Sequence, residues 1–308
     1  MNSLLVERTL GLAQLQDGGR FGIRHLGVTQ GGALDWVAMH WANWMLGNPL
    51  DSPVIEIPLG GMTLKARSDM TLALSGADLA ATLDDQPIAP WQSFEVRAGQ
   101  RLSFNPPRSG VRAYLAAPDG FSAPQVLGSS STVLREGLGG LDGSGRALQA
   151  GDELVCQALN ATPRPMPAAE IPDYQSPARL QLLLGSQYAQ FAGQSLFKLF
   201  NSTWQVDQRA DRMGIRLLGS ALRYHGQSLV SEGIPLGAIQ VPPDGQPIVL
   251  MNDRQTIGGY PRLGALTPLS VARLAQCPTG SQVQMTPVGT DVARCRHLQL
   301  LRIWQPSA

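Results

Sequence analysis

Apolar residues in this chain fall in short alternating or β-branched runs rather than at helical spacing. The clearest are residues 54–59 (VIEIPL), 71–75 (TLALS), 111–116 (VRAYLA), 179–185 (RLQLLLG) and 247–251 (PIVLM). Gly, Pro, Asn or Asp bounds each run, and short strands punctuated this often predict sandwiches or barrels. A turn-then-strand unit recurs at residues 98–104 (AGQRLSF), 150–156 (AGDELVC) and 279–285 (TGSQVQM), each with a Gly that permits the reversal before an alternating run. Helical patterns are few. Residues 35–46 carry Asp35 as N-cap, apolar Val37, Ala38, Trp41 and Met45, and then Gly47 and Pro49 as stop signals. A shorter helix is predicted from Pro268 to about Gln276, capped by Thr267 and ended before Pro278. The fold class read from this pattern is mostly β with a few short helices.

Length adds domain organisation. At 308 residues the chain exceeds a typical single core, so two domains are expected, with one large domain as the alternative. Residues 161–178 (ATPRPMPAAEIPDYQSPA) are Pro-rich and aperiodic, which reads as a stiff linker. The expectation is a β-rich N-terminal domain with one helix over 1–160, a linker over 161–178 and a C-terminal β domain over 179–308.

Charge and cysteine content exclude several function classes. The formal charge is +1 with both signs spread along the chain, so neither a nucleic-acid nor a membrane partner is expected. Lys65 and Lys198 are the only lysines; the arginine bias suits bidentate anion binding and equally suits a GC-rich genome. No run of about 18 apolar residues occurs and the first residues lack a signal-peptide core, which predicts a cytoplasmic protein. Cys156, Cys277 and Cys295 are odd in number and outside any CxxC, so they are expected to be reduced packing thiols. The four histidines form no HExxH or HxH pair, and no metal site is expected.

Familiar catalytic signatures are missing: no GxxxxGK[ST], no GxGxxG in residues 137–145 (GLGGLDGSG), no GxSxG and no AMKM-like biotinylation sequence. What remains is three polar clusters in Gly-rich settings. The first, residues 16–24 (QDGGRFGIR), is followed by GGALD and by Asn43 on the helix begun by Asp35. The second is residues 208–219 (QRADRMGIRLLG). In the third, residues 231–261, Gln240, Gln246, Asn252, Asp253, Arg254 and Gln255 surround the apolar PIVLM before GGYP. Strand ends and the loops that follow them are where sites are usually built. A plain turn remains the alternative reading of Asn252 and Asp253.

These runs, together with VIEIPLGG, LSGAD, LGSSST, GLGGLDGSGR, DRMGIRL and SEGIPLGAIQVPPDGQPIVLMNDRQTIGGYPRLG, resemble the KipA family. It is also called the allophanate hydrolase subunit 2 or biotin-dependent carboxyltransferase family, and the likeness is strongest to its bacterial 5-oxoprolinase members. The resemblance runs in order from about Gln14 to Met285. It implies a cyclophilin-like β-barrel in at least the C-terminal half, and one component, inactive alone, of an enzyme for ATP-dependent opening of 5-oxo-L-proline to L-glutamate. The implied partners are the other two 5-oxoprolinase components: a KipI-like protein, also called allophanate hydrolase subunit 1, and the A component. ATP and Mg²⁺ act as co-substrate in the complex, with no covalently bound cofactor. The alternatives it carries are a carboxyltransferase component working with a biotin-dependent partner, as in urea carboxylase, and a regulator antagonising a histidine-kinase inhibitor. Ile257 stands where the family usually has a second Thr, which removes one hydroxyl.

Under that resemblance Asp253, Arg254, Asp211 and Arg212 are the expected catalytic residues. Asp17, Arg20, Asp35, Asn43, Gln240, Gln255 and Tyr260 are expected to bind substrate or nucleotide. Arginines would compensate anions through their bidentate fork, and acids would orient them or hold Mg²⁺ against phosphates. Glu56, within VIEIPL, is a weaker candidate, the alternative being an acid that simply faces solvent.

Overall fold

The computed structural model describes residues 2–158, 161–227 and 230–304. Contacts group the chain into two compact units, Met1–Ile23 with Thr29–Gln175, and Arg24–Val28 with Ser176–Ala308.

The first unit holds two sheets. One has six strands in the spatial order Glu153–Val155, Ser3–Arg8, Met62–Ala66, Arg101–Phe104, Thr82–Leu83, Gln86–Pro87; the other has five in the order Gln14–Gln16, Val54–Pro58, Ser109–Ala116, Met70–Asp78, Gln92–Val96. Alternating burial in Met62–Ala66 reflects the two-residue period of a strand with one covered face. Helix α1 (Trp36–Leu46) packs on Met70–Asp78 and Ser109–Ala116 through fully buried Ala38, Trp41, Ala42 and Met45. Each large side chain so buried contributes about 1.5–3 kcal/mol relative to exposure. The Asp35 carboxylate caps α1 by accepting from the Ala38 amide at 3.0 Å, and Gly47 closes it in the left-handed conformation, as the sequence predicts.

The second unit is a closed seven-stranded barrel, in the order Ala178–Leu184, Arg262–Leu266, Ala238–Gln240, Ile248–Leu250, Gly214–Leu218, Trp204–Ala210, Gln282–Pro287. Its last strand returns to the first in parallel; the other pairings are antiparallel. Leu180, Leu182, Val206, Leu217, Val249 and Met285 fill the interior. A two-stranded ribbon, Glu232–Gly233 with Ile257–Gly258, stands apart from the barrel. The mostly β class and the barrel in the C-terminal half are both borne out. All three turn-then-strand units are present, with Gly99, Gly151 and Gly280 at φ of 91°, 95° and 85°.

Of the remaining helices, α2 (Gly193–Asn201) and α4 (Thr290–Trp304) are not among those expected from the sequence, whereas α3 (Pro268–Ala275) is capped by the Thr267 hydroxyl as expected. Only Trp304 of α4 is buried, so the helix lacks the apolar stripe that betrays a packed one, and Cys295 on it is exposed rather than a packing thiol. Among the described residues no helix is long and apolar enough to cross a membrane.

Candidate functional site

Gly214–Leu218 and Ile248–Leu250 are antiparallel neighbours, so the start of one strand lies beside the end of the other. That register joins two segments distant in sequence. The Met251 amide donates to the Met213 carbonyl at 2.9 Å, and the Asp253 amide to the Arg212 carbonyl at 2.8 Å. The side chains follow. Arg212 donates to Asp253 through Nε at 2.9 Å and Nη2 at 3.1 Å, a bidentate pair whose partners are only 13% and 9% exposed. Asp211 is exposed, and its Oδ1 accepts from the Met213 and Gly214 amides, which shapes the turn.

Arg254 follows Asp253 and is 2% exposed, with Nε donating to the Ile234 carbonyl (3.1 Å) and Nη1 to the Met251 carbonyl (3.2 Å). Arg24, from the short segment that belongs to this unit, donates from Nη2 to the same Ile234 carbonyl at 2.8 Å and to those of Gln255 and Thr256. Two guanidinium groups thus converge on one carbonyl. Burial, and then repulsion from Arg24, lower the pKa of Arg254 to about 9, against the opposing pull of Asp253. Arg24 is not among the residues the sequence singles out, although it lies in the same GGRFGIR run as Arg20.

Two carboxamides approach the same place. Gln240 is 4% exposed, and among the described residues its side chain makes no hydrogen bond. A Cβ placed on Gly258 would lie 2.9 Å from Gln240 Nε2, 3.5 Å from Gln255 Nε2 and 2.6 Å from Ile234 Cδ1, so only glycine leaves the amides room. Tyr260 is half exposed and, with Gln240 and Gly258, borders a recess of about 10 Å³, room for one water. The ribbon beside it is held by Arg262 to Glu232 at 3.1 Å and by Gln187 Nε2 to Glu232 at 3.0 Å. Among the described residues no three of His, Cys, Asp or Glu gather as a metal site.

The remaining sequence-selected residues belong to the first unit, where their side chains bond to neighbouring loops and to the start of α1. Asp17 accepts from Ser129 Oγ (2.6 Å), the Ser130 amide (2.6 Å), Ser131 Oγ (2.5 Å) and the Gly19 amide (2.8 Å). Arg20, fully buried, donates to the carbonyls of Val126 and Ser129. Asp35 accepts from the Tyr174 hydroxyl at 2.9 Å besides capping α1. Asn43 donates to the Leu50 and Ser52 carbonyls and accepts from Asn48.

Glu56 does not take the solvent-facing alternative. It is 2% exposed, because α1 and the neighbouring chain cover that face of its sheet. It accepts from the Leu34 amide and the Tyr114 hydroxyl, each at 2.9 Å. Burial, with the Glu56 and Asp35 carboxylates nearby, holds the Tyr114 hydroxyl pKa well above its usual range.

A family model described as carboxyltransferase domain, subdomain A and B, matches residues 26–287. The chain is 39% identical to the C component of 5-oxoprolinase from Escherichia coli over 91% of its own length and 89% of that protein's. It is 38% identical to the C component of 5-oxoprolinase from Haemophilus influenzae over 91% and 90%. Among solved structures, Kluyveromyces lactis urea carboxylase superposes on 99% of the chain with a TM-score of 0.92 at 26% identity; the chain spans 29% of that much longer protein.

Proposed function

This chain belongs to the carboxyltransferase-domain family, subdomains A and B, and we propose that within it the protein serves as the C component of an ATP-dependent 5-oxoprolinase. Its partners in this reading are the KipI-like component and the A component, and the reaction opens 5-oxo-L-proline to L-glutamate. The observation that carries the reading is the near end-to-end correspondence, in both directions, with two proteins named as that component of 5-oxoprolinase.

The barrel-end geometry fits the substrate. A five-membered lactam presents its N–H and C=O on the same side, and a primary carboxamide can meet both at once, accepting from one and donating to the other. Gln240 is buried with its amide unused and is the candidate for that contact; Gln255 supplies a second donor. Arg254 and Arg24 bring positive charge to the substrate carboxylate or to the developing oxyanion. Arg212 and Asp253 act as positioning residues, since their bidentate pair fixes the backbone from which Arg254 projects. ATP, when bound to the complex, supplies the phosphoryl group that turns the lactam oxygen into a leaving group. The water-sized recess beside Gln240 requires the Glu232–Gly233 and Ile257–Gly258 ribbon to move outward when substrate enters.

A second reading draws on the superposition with urea carboxylase, a carboxyl transfer from a biotin-bearing partner. The two separate in one assay. With bicarbonate and biotin removed from the three-component mixture, glutamate formation continues undiminished under the 5-oxoprolinase reading and stops under the carboxyltransferase reading.

A further inference from the structure

The second unit carries a surface groove beside the lactam site that shares Tyr260 with the recess at Gln240. It consists of two adjoining recesses that share Ala221, Arg223 and His225. The larger, about 550 Å³, is walled by prolines and other apolar residues and by the rings of Tyr224 and Tyr260. Tyr224 is held in place by a ring contact with Phe191 at 5.1 Å and a hydroxyl bond to Gln190. The one carboxylate on that wall, Asp244, is taken by Arg216. The smaller recess, about 290 Å³, is basic and polar, with Lys198, Arg223 and His225 beside two serines and the start of α2.

Three features of the basic half point to a polyanion. Among the described residues, neither Lys198 nor Arg223 has a carboxylate partner or any side-chain hydrogen bond. No acidic residue lines this recess. The nine-residue helix α2 begins at it without a side-chain cap, so its first turn, the positive end of the helix dipole, lines the recess. The other half offers what a flat heterocycle needs, aromatic faces and proline edges in a cleft of ligand size. We propose that this groove binds a nucleoside polyphosphate, its base between Tyr224 and Tyr260 and its phosphates on Arg223, Lys198 and the first turn of α2. The choice of ATP as the nucleotide rests on the 5-oxoprolinase reading; the groove itself does not.

The test is equilibrium binding to the purified full chain, without partners or turnover, by isothermal titration calorimetry. Probes are Mg·ATP, inorganic pyrophosphate and adenosine, against wild type, Lys198→Ala/Arg223→Ala and Tyr260→Ala, with circular dichroism to check folding. Saturable ATP binding is expected, tighter than either fragment, at least tenfold weaker in the double variant and several-fold weaker in Tyr260→Ala. All of these side chains reach the surface, so the variants remain folded. Absence of ATP binding to wild type, unchanged affinity in the double variant, or equal affinity for pyrophosphate and ATP would each overturn the proposal. If the reconstituted complex forms glutamate while this chain binds no ATP, the groove inference fails and the functional reading stands. If the chain binds ATP while the complex opens no lactam, the reverse holds.

Discussion

At the scale of single residues, Arg254 bears the most weight. A buried guanidinium aimed at developing negative charge is worth roughly 2.7–4 kcal/mol, so Arg254→Ala should lower the activity of the assembled complex by about two orders of magnitude. Circular dichroism should show the variant folded, and wild-type turnover in it would remove Arg254 from the mechanism. Its lowered pKa has a second consequence. Unfolded, the guanidinium keeps its proton up to its ordinary value, far into the alkaline range, whereas folded it releases it near 9. Between those values the unfolded state binds more protons, so this group's contribution to stability rises with pH there and is flat below. If Arg254 holds the anion as proposed, anion affinity should follow the opposite course, constant near neutrality and falling as pH passes about 9. Titration of substrate affinity from neutral pH to about one unit above that pKa checks this, and a flat profile would separate Arg254 from the anion. The Arg254 motif is visible in sequence because it follows an apolar strand and precedes two glycines. Sequence does not distinguish the buried anchors Asp17 and Arg20 from contact residues, since a Gly-rich polar run reads the same whether it wraps a ligand or a loop of its own chain. Glu56 departs from the solvent-facing alternative for a related reason. An acid in an alternating strand implies an outward face only where nothing packs on that face, and here α1 does.

At the scale of elements, caps and turns are legible because their chemistry is local: Asp35 and Thr267 begin helices, Gly47 ends one, and glycines open three strands. Helix α2 is amphipathic but starts at Gly193 without a capping side chain to mark its beginning, and α4 has no buried stripe. The two-residue strands of the ribbon are too short for any period to register. Yet the ribbon sets the space around Gln240, which gives a paired prediction. Gly258→Val places new atoms against Ile234 and the Gln240 amide, an overpacking that costs about 1–3 kcal/mol. Activity should fall at least tenfold with a modest drop in Tm. Gly233→Ala, on the partner strand, meets nothing within 4 Å and should leave both measures near wild type. Equal losses in the two variants would mean that the ribbon as a whole, rather than room beside Gln240, matters.

At the scale of the whole molecule, the β class and the barrel can be read from strand length and turn frequency, which many residues report together. The assignment of Arg24–Val28 to the second unit cannot, because a short segment that joins a distant unit carries no compositional mark. For the same reason nothing in the sequence sets Arg24 apart. The thiols offer a global check on the fold. Burial pushes the Cys156 thiol up to about 12 and Cys277 is also buried, while Cys295 is exposed on α4. One thiol should react rapidly with a maleimide in the native protein and three after denaturation; two or more fast thiols would contradict the packing described. The central claim, that this chain is one component of a lactam-opening complex, is tested most directly by glutamate formation from 5-oxo-L-proline and ATP with each component omitted in turn. The account predicts turnover only when this chain and both of its partner components are present, and full activity from the two partners without it would contradict it.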